Sequence, residues 1–243
     1  MYTLLKKEIN TFLGSLIGYI AVIVFLLING LFLWVFPLDF NILNGGFANI
    51  DGLFMLAPWV FLFLIPAITM RSFADEKKVG TLEILMTKPL SDLQVILAKY
   101  LAGLILVLFS LVPTLIFFIS VYQMGDPVGN IDMGGTWGSY IGLLFLGGAF
   151  VSIGIFSSSL TDNQIVAFIL SVFLCGFVYI GFDFIYGLDL FGRFDLFIKD
   201  LGINSHYTSI SRGVIDSRDL LYFLSLITFF VLLTKVSVQS RKW

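Results

Sequence analysis

Reactive side chains are scarce in this chain of 243 residues, which has one cysteine, Cys175, and one histidine, His206. A single cysteine excludes an intrachain disulfide and leaves the redox compartment unread. Zinc hydrolysis needs several nitrogen, sulfur or oxygen ligands together. No H-E-x-x-H occurs, so His206 reads as a polar loop residue rather than a ligand. No G-x-x-x-x-G-K-[ST] loop is present to hold phosphates, so any ATP must be hydrolysed by another chain. G-x-S-x-G is also missing, and Ser157, Ser158 and Ser159 read as a polar helix end rather than nucleophiles. A net charge of −2 argues against a nucleic-acid partner.

Charge is the largest deficit. Charged residues make up 12% of the chain and hydrophobic ones 58%, against roughly 25% charged in an ordinary soluble domain. Mean hydropathy is +1.00. The chain is therefore expected to be an all-α integral membrane protein. Segments near residues 13–36, 52–70, 97–121, 136–157, 163–185 and 219–238 are the candidate spans, because about 20 apolar residues cross hydrocarbon about 30 Å thick. The sixth holds few uncharged residues between Asp219 and Lys235, so it borrows length towards Gln239 while Lys235 snorkels. The first apolar run is too long for a signal-peptide core, lacks a small-residue cleavage site, and is expected to stay attached.

Spans that alternate sides let loop charge orient the chain. Lys6, Lys7, Arg71, Lys77, Lys78, Lys88, Lys99, Lys235, Arg241 and Lys242 fall on one side, most of the 14 bases. The other side carries Asp39, Asp51, Asp126 and Asp132 in its first two loops, then a segment with Arg193, Lys199, Arg212 and Arg218. The excess of bases predicts that both termini are cytoplasmic. The loop around Asp162 has no base and supports neither side. Ion-coupled carriers place ionisable groups inside their spans, and a selectivity filter needs charged rings or ordered carbonyls. These spans announce neither.

Within this apolar chain the charged island at residues 71–92 is the most informative segment. Leu82, Leu85 and Met86 share a helical face, and Pro89 disfavours helix at Lys88. Ser91 and Gln94 then form a capping-box pattern that restarts a helix into the third span. Residues 1–12 read as an interfacial helix, with Met1, Leu4, Leu5, Ile9 and Phe12 on one arc and Lys6, Lys7 and Asn10 opposite. Glu8 on the apolar arc breaks that pattern. Pro58, Pro66 and Pro113 are expected to bend their spans. Gly134, Gly138 and Gly142, like Gly14 and Gly18, recur every four residues, which predicts close helix contacts within the protomer more readily than a dimer seam. Residues 187–218 are too charged to cross and too apolar for a free loop, which predicts an interfacial or re-entrant hairpin. Its i,i+4 pairs would be Asp189 with Arg193 and Asp195 with Lys199, its helix stop Gly202, and Asp216 or Ser217 would cap the last span.

The island, with Glu76, Gly80, Thr81, Glu83, Leu85, Pro89 and Lys99, resembles the second cytoplasmic segment of ABC-2 type transporter permeases. The likeness covers nearly the whole chain, including the stretch from Ser211 to Ser225, and is closest to gliding-motility-associated permease subunits, with copper-site maturation permeases as neighbours. It implies a permease in the bacterial inner membrane that binds no cofactor itself. It also implies a second permease copy or paralogue and two cytoplasmic ATPase subunits that bring ATP and Mg. The implied ATPase-coupling residues are Asp75, Glu76, Lys77, Gly80, Thr81, Leu82, Glu83, Leu85, Lys88 and Pro89, with His206, Arg212 and Gly213 in the outer hairpin. No substrate residue is implied. A membrane scaffold that anchors motility or secretion machinery without transport is the alternative.

Overall fold

The computed structural model describes residues 1–87, 89–190, 192–213 and 216–240, without the side chains of Ile17, Ile84, Met86 and Arg193. Lys88, Arg241 and Lys242 lie outside the described residues. Helix α1 (Tyr2–Leu13) is turned 60° from the helix that follows it, α2 (Leu16–Trp34). Ser15 caps α2 by accepting from the Gly18 N–H at 3.2 Å. A Cβ on Gly18 would sit 2.2 Å from the Phe12 carbonyl oxygen. Gly14 and Gly18 therefore serve this elbow rather than a contact between two helices, because the chain folds back on its own backbone there.

Helix α3 (Asp51–Thr69) passes through Pro58 and Pro66 and continues past Met70 as α4 (Arg71–Val79), so Asp51–Val79 is one helix of 29 residues. After α5 (Thr81–Met86), helix α6 (Asp92–Leu111) tightens into a 3-10 turn at Val112–Thr114, around Pro113, and resumes as α7 (Leu115–Met124). Then come α8 (Met133–Leu160) and α9 (Gln164–Gly176), a π turn at Phe177–Gly181, and α10 (Phe182–Gly187). Short helices α11 (Asp195–Lys199) and α12 (Ile203–Ile210) precede α13 (Ser217–Gln239). The described residues contain no strand. Five helices are long and apolar enough to cross a membrane, and the bent α1–α2 pair makes a sixth. This is an all-α membrane fold.

The helices overrun the apolar segments because their caps sit in the polar flanks, where a side-chain oxygen satisfies an N–H that the first turn leaves free. Asp132 accepts from Gly135 N, Asn163 from Ile165 N and Asp216 from Arg218 N. Both halves of the Ser91–Gln94 capping box are present.

Helix α8 is the axis of the bundle. It is buried along most of its length, with α3, α4, α6, α9, α12 and α13 packed around it. Contacts fix which ends meet. Gln239 reaches Asp92, Ser237 reaches the Ser159 carbonyl, and Gln164 reaches Asp75. The last turn of α13 and the 161–163 loop thus gather at the end that bears α5.

At the far end, α12 lies along α8. Tyr207 donates to the Phe54 carbonyl at 2.7 Å, and burial, reinforced by Tyr179, pushes its phenol well above the usual value. A Cβ on Gly138 would meet the Ile210 carbonyl oxygen at 2.6 Å, so the glycine face of α8 receives α12 of the same chain. Two expectations for this segment fail. Asp189 sits beyond α10 with φ 49, so its four-residue spacing to Arg193 puts no pair on a helix. Gly202 is the N-cap of α12 rather than the stop of α11, because α11 has already ended at Lys199.

Candidate coupling site

Helix α4 begins without a capping side chain of its own, since its N-cap is Met70. Its first free N–H groups are capped from another helix. Ser158 Oγ on α8 accepts from Phe73 N at 3.0 Å and Ala74 N at 3.1 Å, and donates to the Met70 carbonyl at 2.8 Å. One hydroxyl thus satisfies three backbone groups at the joint between α3 and α4. Lys77 donates to the Ser159 carbonyl, and Asp75 accepts from Gln164 on α9. The serine run at the end of α8 is a cleat for α4.

A buried charge cluster holds the remaining side. Lys99 Nζ on α6 lies 2.9 Å from Glu76 Oε1 and 3.3 Å from Glu8 Oε1 on α1, and only 2% of its side chain is exposed. Lys7 closes the group at 3.4 Å from Glu8 and 3.7 Å from Glu76. The Lys99 ammonium also lies 5.1 Å from the Phe73 ring centroid, within cation-π reach. Two acids and two bases leave the cluster neutral, with Lys7 at its exposed edge and Glu76 Oε2 buried without a hydrogen-bond partner. It joins α1, α4 and α6, which are far apart in sequence.

Beyond this anchor the chain turns outwards. Gly80 adopts φ +75 and ψ 9, the left-handed conformation that ends α4 and opens α5, and a Cβ there would touch nothing within 4 Å. On α5, Thr81 and Glu83 are exposed, while Leu82 and Leu85 are half-buried against the bundle. Pro89 is exposed, and Lys88 lies outside the described residues.

The residues expected to form a docking surface therefore divide. Asp75, Glu76 and Lys77 face the bundle instead, because α4 carries the helical period of α3 onward and lands their side chains against α9, α6 and α8. Gly80, Thr81, Glu83 and Pro89 remain outside. Lys99 and Glu8 complete the inner half. Glu8, an acid on the apolar arc of α1, was the sequence signal for it.

The expected hairpin residues lie together at the far end. Both His206 ring nitrogens face acceptors, Asp219 Oδ1 at 2.6 Å and the Asp200 carbonyl at 2.8 Å, and the ring stacks on Tyr222 at 3.9 Å. No cluster of three metal-ligating side chains occurs among the described residues. Arg212 is exposed, and Gly213 at φ +84 packs its Cα side against Gly134 and Gly135.

A helical bundle of apolar spans with a short helix projecting from one end defines a multi-pass membrane protein. Residues 37–197 match the family model described as ABC-2 family transporter protein, and the chain belongs to that family. No curated protein matches it. The chain is accordingly a multi-pass membrane protein and the membrane subunit of an ABC transporter, not itself the ATPase, in a family that pairs with ATPase subunits.

Proposed function

We propose that the chain is an inner-membrane permease subunit, both termini cytoplasmic, that receives the work of two ATPase copies through α5 and passes it into the bundle through α4. ATP and Mg are bound by those partners, and the permease acts with a second copy or a paralogue. The observation that carries this reading is the anchoring of α4. A displacement of α5 reaches α3 through the Met70 joint with α4, α6 and α1 through Lys99, and α8 and α9 through Ser158 and Gln164. Thr81 and Glu83 supply the exposed contact, with Leu82 and Leu85 as its apolar footing. The likeness to gliding-motility permeases supports conformational work or export in a motility complex.

The test is ATP turnover of the reconstituted complex carrying Glu83→Ala or Gly80→Pro. Loss of coupled turnover in both supports the role, and wild-type coupling in both ends it. A scaffold would instead keep its partners with a hydrolysis-dead ATPase and leave motility or secretion intact.

A further inference from the structure

Two cavities meet at one residue. An apolar cleft of about 520 Å³ runs between α2 and α3. Its α2 wall is Ile20, Val24, Ile28 and Phe32, four residues apart, and its α3 wall includes Trp59 and Phe63. From Leu56 to Ile68 the cleft covers about 18 Å of helix at about 1.5 Å per residue, near the depth of one leaflet of a core about 30 Å thick. A second cavity, about 470 Å³, lies at the far end among α3, α8, α12 and the π turn, and Trp59 lines it too. The π turn supplies Tyr179 and Ile180 to its wall. Such turns break the helical ladder and recur at functional sites.

The polar wall of the second cavity has a definite hydrogen-bond sign. Ser139 donates to the Ser211 carbonyl, Thr208 to the Asn204 carbonyl, Ser211 to the Thr208 carbonyl and Tyr207 to the Phe54 carbonyl. Asn204 donates to Asp183. Each hydroxyl hydrogen is thereby committed to the protein, so the hydroxyls offer the cavity lone pairs, and the second amide N–H of Asn204 is the donor among these side chains. Asp51 adds a carboxylate, and no lysine or arginine lines the cavity among the described residues. A phosphate head would find acceptors and negative charge here. An ammonium or a polyhydroxyl head would find partners, with Trp59 and Tyr179 as aromatic walls.

We propose that the two cavities form one site for a single-chain amphiphile, its aliphatic tail between α2 and α3 and its donor-rich, non-anionic head against Asp51, Thr208 and Ser211. The site does not depend on coupling to an ATPase, so it is tested without nucleotide. The full chain is placed in phosphatidylcholine nanodiscs and labelled with three photoreactive probes of equal tail length, derived from dodecylamine, dodecyl glucoside and dodecyl phosphate. Labelled peptides from α2 and α3 are normalised to those from the lipid-exposed face of α13 at Leu221 and Leu224. The amine or the glucoside is expected to label α2 and α3 at least tenfold more than the phosphate, and whichever labels more strongly identifies the head as ammonium or polyhydroxyl. Asp51→Asn combined with Thr208→Val should remove most of that preference with α13 labelling unchanged. Equal labelling by all three probes overturns the proposal, as does a preference unaltered in the variant. A disulfide between two copies through Trp59→Cys would give the cleft to a second protomer and overturn it as well.

Discussion

The two ends of the bundle are held by different chemistry. At the α5 end, helices distant in sequence are tied by a neutral group of four charges and by a serine hydroxyl that caps a foreign helix. At the far end, α12 is seated by close backbone approach at Gly138 and a tyrosine bond to the Phe54 carbonyl, with local side-chain ties from His206 to Asp219 and from Asn204 to Asp183. Buried polar ties fix which helices meet, whereas close backbone contact fixes how near they lie. Under the coupling proposed above, force enters at the α5 end, and the glycine contact at the far end keeps α12 seated.

Breaking the buried cluster should have the largest effect. Lys99→Met leaves Glu8 and Glu76 facing each other with only the exposed Lys7 beside them and should lower stability by about 3–5 kcal/mol, read as a fall in melting temperature of the purified protein. Adding Glu8→Gln and Glu76→Gln should recover part of the loss. If Lys99→Met alone melts like wild type, the α5 end is not held by charge. Next, Gly138→Val forces side-chain atoms into the Ile210 carbonyl and should cost about 1–3 kcal/mol. Its signature is faster proteolysis near α12 with little change at α4. Ser158→Ala uncaps α4 and should cost about 1 kcal/mol, seen as faster hydrogen exchange at Phe73 and Ala74. Gly80→Ala meets no steric contact and pays only for the left-handed backbone, about 1 kcal/mol. Smallest in stability is Glu83→Ala, within about 0.5 kcal/mol because the side chain is exposed, so a loss of ATPase coupling there would report contact rather than folding.

The outline of the fold was legible because hydrocarbon demands long apolar helices and their caps use a few residue types. Ser91 with Gln94, and Asp216, announced their helix starts for that reason, whereas the Asp132 cap went unread. The island was legible as a short helix, a break at Pro89 and a restart at Ser91, since proline and a capping box act locally, whereas the left-handed break at Gly80 went unread. The inner half of the site was not. Glu8, Glu76 and Lys99 are brought together by tertiary packing across α1, α4 and α6, and no spacing rule links positions so far apart. A charge on an apolar arc was the available trace, and it was read as a flaw in an interfacial helix. Gly14 and Gly18 carry the same spacing as Gly138 and Gly142 yet serve an elbow, because spacing reports a bare backbone and not what approaches it. The π turn had no sequence signature at all.

The burial of Lys99 has a practical consequence for handling the complex. Salt screens exposed charges over about 10 Å at 0.1 M but hardly reaches a dry pair. An ionic wash is therefore expected to strip partners bound through Glu83 while α4 keeps its grip on α1 and α6, leaving a permease that can be recharged with fresh ATPase.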